Sequence, residues 1–372
     1  TPTTVCRVPG GMALAWNGCE FGWGIIKVDD QGRKKWGSKY CAEVLATDGK
    51  RLFASGGHSF SGQEGVVILD LKDSRPMNLP GGVASFLPPE GGTKETNHVT
   101  GLTYGGGKLY VAYGKRDLIV VHDAKTGKIL STWTVKAPGR IAMAKGNTLA
   151  VITDGKVVAM KDGKATDWIA SHLDDPSGVA VGADGTVYVV NRGKLQNVSV
   201  FDASGKYLRS LGIEGGRPAV GRYNPAGIFA PGGIDLDGDG RLWVAETADG
   251  PKRISVWDTK TGKLADEFFG GSNYFAYGFI DPATPDVMYA HHALWKLDWK
   301  KGSGYPITTI WRKPSPNGME APSSSGYSGV LKIITAANGR QYAWGNAQHK
   351  CVLLRRDGDL FKPFAAVMYV GY

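Results

Sequence analysis

Six of the seven histidines in this 372-residue chain fall at one kind of place in a recurring pattern. His98 and His172 stand just before short apolar runs. His58, His291, His292 and His349 stand just after runs rich in aromatic residues. Only His122 lies inside a run. Other reactive side chains share these two positions: Arg140, Tyr274, Tyr277 and Tyr327 before the first run, and Asn191, Arg192, Glu246 and Arg253 after the second.

Side chains of these types, gathered at one point, support three kinds of chemistry. Neutral imidazoles converging from separate segments make a transition-metal site for zinc, copper or iron, with His98, His172 and His291 as the ligands. A His or Tyr base beside an arginine suits β-elimination from a uronate. The cation neutralises the carboxylate and acidifies the α-proton, which the base removes. His98, His172, His291, Tyr274, Tyr277, Arg140 and Arg192 are the candidates for that work. Recognition without chemistry is the third. His58, His292, His349, Asn191, Glu246, Arg253 and Tyr327 would hold a sugar through hydrogen bonds and ring stacking.

These residues depend on a repeated element for their placement. One copy runs Gly178-Val179-Ala180-Val181, turns at Ala183-Asp184-Gly185, and returns as Val187-Tyr188-Val189-Val190. It continues as Val198-Ser199-Val200-Phe201-Asp202, turns at Ser204-Gly205-Lys206, and ends in Tyr207-Leu208. Apolar alternation between glycine-bearing turns predicts half-buried antiparallel strands. A four-stranded unit recurring at this spacing predicts an all-β propeller of four-stranded antiparallel blades.

Seven second strands can be counted, from Arg51-Leu52-Phe53-Ala54 to Arg340-Gln341-Tyr342-Ala343. Met12-Ala13-Leu14-Ala15-Trp16 begins an eighth unit without an evident innermost strand. The apolar run Ala366 to Val370 has no partner of its own. Eight blades are therefore expected, with seven as the alternative, and the first blade is expected to be completed by residues 365–372, which would close the ring and remove a free edge. Residues 1–372 read as one propeller domain. In a blade, the loop after the second strand and the loop into the first open on the same face. The reactive residues should then surround one mouth of the central channel.

The motifs resemble those of NHL-repeat and quinoprotein-like propellers. The residues that carry this are Asp175-Pro176-Ser177-Gly178 through Val189-Val190, Gly233-Ile234-Asp235 through Ala245-Glu246, and outer hairpins such as Val256-Trp257-Asp258-Thr259-Lys260-Thr261-Gly262-Lys263. The resemblance implies architecture. Such propellers include lyases, dehydrogenases, sugar-binding modules and scaffolds, so it does not choose a function. It includes peptide-amidating lyases with a metal at the mouth, but no local motif of theirs is matched. Quinoprotein dehydrogenases would need adjacent cysteines, and Cys6, Cys19, Cys41 and Cys351 are not adjacent.

The remaining features bound the function. No run of 18 apolar residues exists to span a membrane. The chain opens on Thr-Pro-Thr-Thr, as after removal of a signal peptide, and a secreted or periplasmic setting is expected. There a disulfide, from Cys6 or Cys19 to Cys351, could lock the ring, with buried free thiols as the alternative. The formal charge is +10 with dispersed Lys and Arg. That suits an acidic polysaccharide or another anionic extracellular partner, or a place in a larger extracellular assembly, and lacks the basic-aromatic blocks of nucleic-acid grooves. Asp235, Asp237, Asp239 and Glu246 have calcium-loop spacing. Strand flanks would put Glu246 roughly 20 Å from the turn at about 3.3 Å per residue, so a tight Asp-Gly turn is expected, with a weaker three-aspartate calcium site as the alternative. The sequon at Asn197 begins a strand and reads as structural.

Overall fold

The computed structural model describes residues 2–16, 24–56, 65–82, 84–218, 221–247, 251–270, 278–280, 284–290, 293–309, 329–347, 350–358 and 360–368. They form eight antiparallel sheets built from four strands each in chain order, one of them extended by a fifth short strand. The first sheet comprises Pro2–Val8, Gly11–Trp16, Ile25–Val28 and Lys34–Ser38. The next five begin with Ala42–Thr47, Gly101–Gly105, Ile141–Met143, Pro176–Val181 and Pro231–Leu236. The seventh runs from Gly278–Ile280 to Ser303–Thr309, and the eighth from Gly329–Thr335 to Leu360–Met368.

The count of eight follows the sequence pattern, and so does the burial. Second strands such as Leu149–Thr153 and Val187–Asn191 are buried at every position, because neighbouring blades cover both faces. Outer strands such as Ile129–Thr134 are almost wholly exposed. Continuous apolar runs therefore mark the second strands, and mixed runs mark the rims.

The first six sheets surround one channel, whose wall includes residues from all six innermost strands. Separate apolar cores fill the gaps between successive blades. The last of them returns to the start, where Val5, Met12, Leu14 and Val28 of the first sheet pack on Trp243, Ala245, Ile254 and Val256 of the sixth. At roughly 1.5–3 kcal/mol for each large apolar side chain buried, this packing holds the seam closed. Close approach of the innermost strands needs glycine. A Cβ on Gly233 would lie 2.1 Å from the Thr4 hydroxyl, and one on Gly178 would lie 2.5 Å from the Gly232 carbonyl.

Two expectations are corrected here. The first sheet has its own innermost strand, Pro2–Val8, turning at Pro9-Gly10 into Gly11–Trp16. Residues through Met368 of the C-terminal run pair instead with Lys350–Asp357 in the eighth sheet. Closure thus comes from side-chain packing between the first and sixth sheets. The proposed disulfides fail as well, because Cys6 and Cys351 are both free thiols. Cys6 is buried in the core between the first two blades, a position set by the strand that the sequence reading missed.

The seventh and eighth sheets share a core of their own, built on Tyr289, Leu294, Ala343, Val352, Leu354 and Phe361. Contacts among the described residues tie the pair to the ring. Gly221–Arg222, on the excursion between the fifth and sixth blades, adds a strand to Ser303–Thr309. The Trp295 ring meets Phe269 edge-on at 5.7 Å.

Candidate functional site

In each of the six ring blades a residue in the innermost strand or just before it comes to the same end of the channel: Thr3, Glu43, Thr100, Arg140, Ser177 and Gly232. Arg192 and Thr247, just after the second strands of the fifth and sixth blades, join them, with Gly139 and Pro176, in the wall of a cavity of about 430 Å³. Local irregularities aim these side chains. The pairing register skips Thr3 in the first blade, Glu43 in the second and Ser177 in the fifth. A bulge of this kind turns a residue out of the sheet alternation, here toward the axis.

Most hydroxyls at this level stitch blades together. Thr3 Oγ1 donates to the Ala42 carbonyl at 2.6 Å, Thr100 Oγ1 to Pro138 at 2.5 Å, and Ser177 Oγ to Pro231 at 3.0 Å. Each bond spans adjacent blades. Arg140 reaches further, from the fourth blade to the second, where Nη1 donates to the Glu43 carbonyl. Burial pulls its guanidinium down to about 10, with Glu43 opposing, and leaves it a cation at neutral pH. Arg192 is exposed and donates from Nη2 to Thr247 Oγ1 at 3.2 Å. His98 Nε2 lies 3.1 Å from Glu43 Oε2. One carboxylate, two guanidinium groups and one imidazole therefore meet at or beside this mouth.

The other candidates divide. Arg140 and Arg192 line the cavity, and His98 adjoins it through Glu43. His172 is elsewhere: its ring stacks at 4.0 Å on Tyr207, in the outermost strand of the fifth blade. It sits at φ 58°, in a turn that points away from the axis. Asn191 is fully buried and ties Asp174, Asn197 and Ser199 together. Asn197 is itself buried in that network. Glu246 and Arg253 are also fully buried. Glu246 accepts from Arg253 Nη1 at 2.9 Å, Arg217 Nη2 at 3.0 Å and the Phe229 amide at 3.1 Å. Glu246 and Arg253 fasten the segment before the sixth blade, where Arg253 also donates to the Gly227 and Pro225 carbonyls, and Asn191 fastens a loop within its own blade. His58, Tyr274, Tyr277, His291, His292, Tyr327 and His349 lie outside the described residues.

Among the described residues no three His, Cys, Asp or Glu side chains come together to hold a metal ion. The calcium-like spacing resolves into a turn. Asp237 Oδ1 accepts the Asp239 and Arg241 amides, and its Oδ2 accepts from Arg241 Nε and Trp243 Nε1. Asp235, by contrast, faces the channel.

Glu43, Thr3, Thr100, Ser177 and Thr247 were not singled out from the sequence. The signal was positional. Aligning the blades on their first hairpin turns puts the first four in one column with Arg140 and Gly232, but the column mixes hydroxyl, acid, base and glycine, so no residue type repeats.

The fold and the channel define a β-propeller protein. No family model and no curated protein matches the chain. Among solved structures it is similar to the hydrazine synthase of Kuenenia stuttgartiensis, at 14% identity over 69% of this chain and 76% of that one, with a TM-score of 0.38. It is also similar to a streptogramin B lyase, at 15% identity over 72% and 82%, with a TM-score of 0.37. A chain of a mitotic checkpoint complex aligns at 13% identity over 93% and 89%, with a TM-score of 0.45. At these identities the likeness concerns the fold alone.

Proposed function

We propose that this protein binds a small carboxylate-bearing ligand, of the anionic carbohydrate class, at the channel mouth. One observation carries the reading: Arg140 and Arg192, from different blades, line one cavity of about 430 Å³ together with hydroxyls and a single carboxylate. Guanidinium forks are suited to carboxylates, and a site walled by two of them against one acid retains a positive excess. A secreted or periplasmic setting goes with such a ligand, and the NHL-like blade motifs fit a propeller that presents its loops for binding.

A second reading has its own support. The pairing of His98 with Glu43 at 3.1 Å, beside Arg140, provides a base next to a group that could neutralise a uronate carboxylate. That is the arrangement β-elimination requires. A non-catalytic module of an extracellular assembly would use the same mouth without the base.

Calorimetry with digalacturonate and with neutral galactobiose tests the binding. Digalacturonate should bind and galactobiose should not. Arg140→Ala and Arg192→Ala should each weaken binding by about tenfold, the effect of losing one charge-assisted contact of about 1.4 kcal/mol. Equal binding of the neutral sugar, or unchanged affinity in both variants, rejects the proposal. Incubation with polygalacturonate, followed by ultraviolet detection of an unsaturated product, decides between binding alone and elimination.

A further inference from the structure

We infer that the outward face of the eighth sheet is a second binding platform, built for an acidic polysaccharide chain. The observations are independent of the channel mouth, and the inference stands if the mouth proves to bind something else. Every blade of the ring has a neighbour on each side. The eighth sheet uses one face against the seventh, where Ala343, Val352, Leu354 and Phe361 are buried. Strand alternation turns the next residues the other way. Ile334 is 45% exposed, Trp344 36% and Phe364 50%.

These residues form a continuous surface. The register places Ile334 opposite Tyr342, and Tyr342 opposite Arg355. The adjacent row sets Lys332 opposite Trp344, and Trp344 opposite Leu353. The Tyr342 and Phe364 rings lie 5.8 Å apart, and the Arg355 guanidinium sits 5.3 Å from the Phe364 ring centre. Apolar residues scattered singly need no explanation, but a contiguous aromatic patch does.

Charge identifies the occupant. In the four strands the one acidic residue is Asp357, at a turn, where it pairs with Lys362 at 2.5 Å. Lys332 and Arg355 are exposed cations among the rings. A second copy laid face to face would bring those cations against their own counterparts, which disfavours self-association. A peptide would pair with a sheet edge through its backbone, not with a flat face. A uronate chain offers what the surface lacks: sugar rings to stack on Trp344, Tyr342 and Phe364, and carboxylates to meet Lys332 and Arg355. Tyr342 and Trp344, two residues apart on one strand, are spaced by roughly 6.6 Å along the chain, which presents two rings on one face.

Affinity electrophoresis of the full chain through polygalacturonate tests this. The wild type should be retarded by polygalacturonate and not by neutral dextran, and added salt should weaken the effect. In a background that carries Arg140→Ala and Arg192→Ala, Trp344→Ala with Phe364→Ala should raise the dissociation constant about tenfold, and Lys332→Glu with Arg355→Glu should abolish retardation. Leu208→Ala, an equally exposed apolar residue on the fifth blade, should change nothing. The mouth variant Arg140→Ala with Arg192→Ala should keep polymer retardation, and the Trp344→Ala, Phe364→Ala protein should keep any digalacturonate binding seen in the wild type. Circular dichroism of each variant establishes that it is folded. An unchanged dissociation constant without Trp344 and Phe364 overturns the inference. So does equal retardation by dextran, or sedimentation with phosphatidylserine vesicles in place of polygalacturonate binding.

Discussion

Arg140 on the fourth blade donates from Nη1 to the backbone carbonyl of Glu43 on the second, so one side chain spans the third blade at the mouth. The carboxylate of the same Glu43 lies 3.1 Å from His98 of that third blade. Three blades are thus joined through one acidic residue. The contact fixes a cation where a ligand would enter, and it stiffens the rim.

Arg140 should therefore matter for stability as well as for binding. Arg140→Ala should lower unfolding free energy by about 1.5–3 kcal/mol, the range for a hydrogen bond to a charged group. Arg140→Lys should restore much of the affinity for an anion but not the bridge, because an ammonium lacks the planar fork. Chemical denaturation and calorimetry on both variants check this. Equal stability of all three proteins would mean the bridge contributes nothing.

Glu246 is expected to be the most sensitive buried charge in the ring. Its removal leaves Arg217 and Arg253 beneath the surface without their shared carboxylate, although Glu267 still meets Arg253 Nη2 at 2.9 Å. Glu246→Ala should cost about 3–5 kcal/mol, the usual penalty for breaking a buried pair. Thermal unfolding measures it, and a loss below about 1 kcal/mol would contradict a structural role.

Asp235 should give the ring a pH-dependent stability. Burial in the channel raises its carboxyl to about 6, against amide hydrogen bonds from Arg7 and Leu236 that lower it. The folded value lies above the ordinary 3.8. The proton is thus bound more tightly in the folded state. The stabilising contribution is full below the ordinary value and is lost as pH rises through about 6. Asp235→Asn should flatten that slope by on the order of 1 kcal/mol, a figure reduced for water in the channel. Urea titrations between acid and neutral pH follow it, and a slope unchanged by the substitution would clear Asp235.

Six blades closed by the core of Val5, Met12, Trp243 and Ile254 should fold without the last two sheets. A chain ended at Gly270 should unfold cooperatively, with a midpoint a few degrees from that of the full chain. Deleting residues 1–8 should destroy cooperative unfolding, because it removes an innermost strand. Deleting residues 365–372 should loosen the eighth sheet and spare the ring. A proteolysis-resistant core in the first and third proteins, absent from the second, is the expected pattern.

The sequence by itself determined the strands. Glycine-bearing turns, period-two alternation and fully apolar second strands are local properties, and they gave eight units. Pro2–Val8 was legible too, as β-branched residues before Pro9-Gly10-Gly11, but it lay at the chain terminus without a preceding turn to frame it. Tertiary structure alone decided which faces meet. Whether six or eight sheets enclose a channel depends on the fit of the first sheet against Trp243 and its neighbours, between residues more than 200 positions apart. It also decided which mouth residues stay open. Glu246 and Arg253 carry the same charges as Glu43 and Arg140, yet a folded-back loop buries the first pair, while a bulge and a cross-channel reach bring the other two to the cavity. Burial and long-range packing are collective properties of the closed ring, and no single blade's sequence contains them.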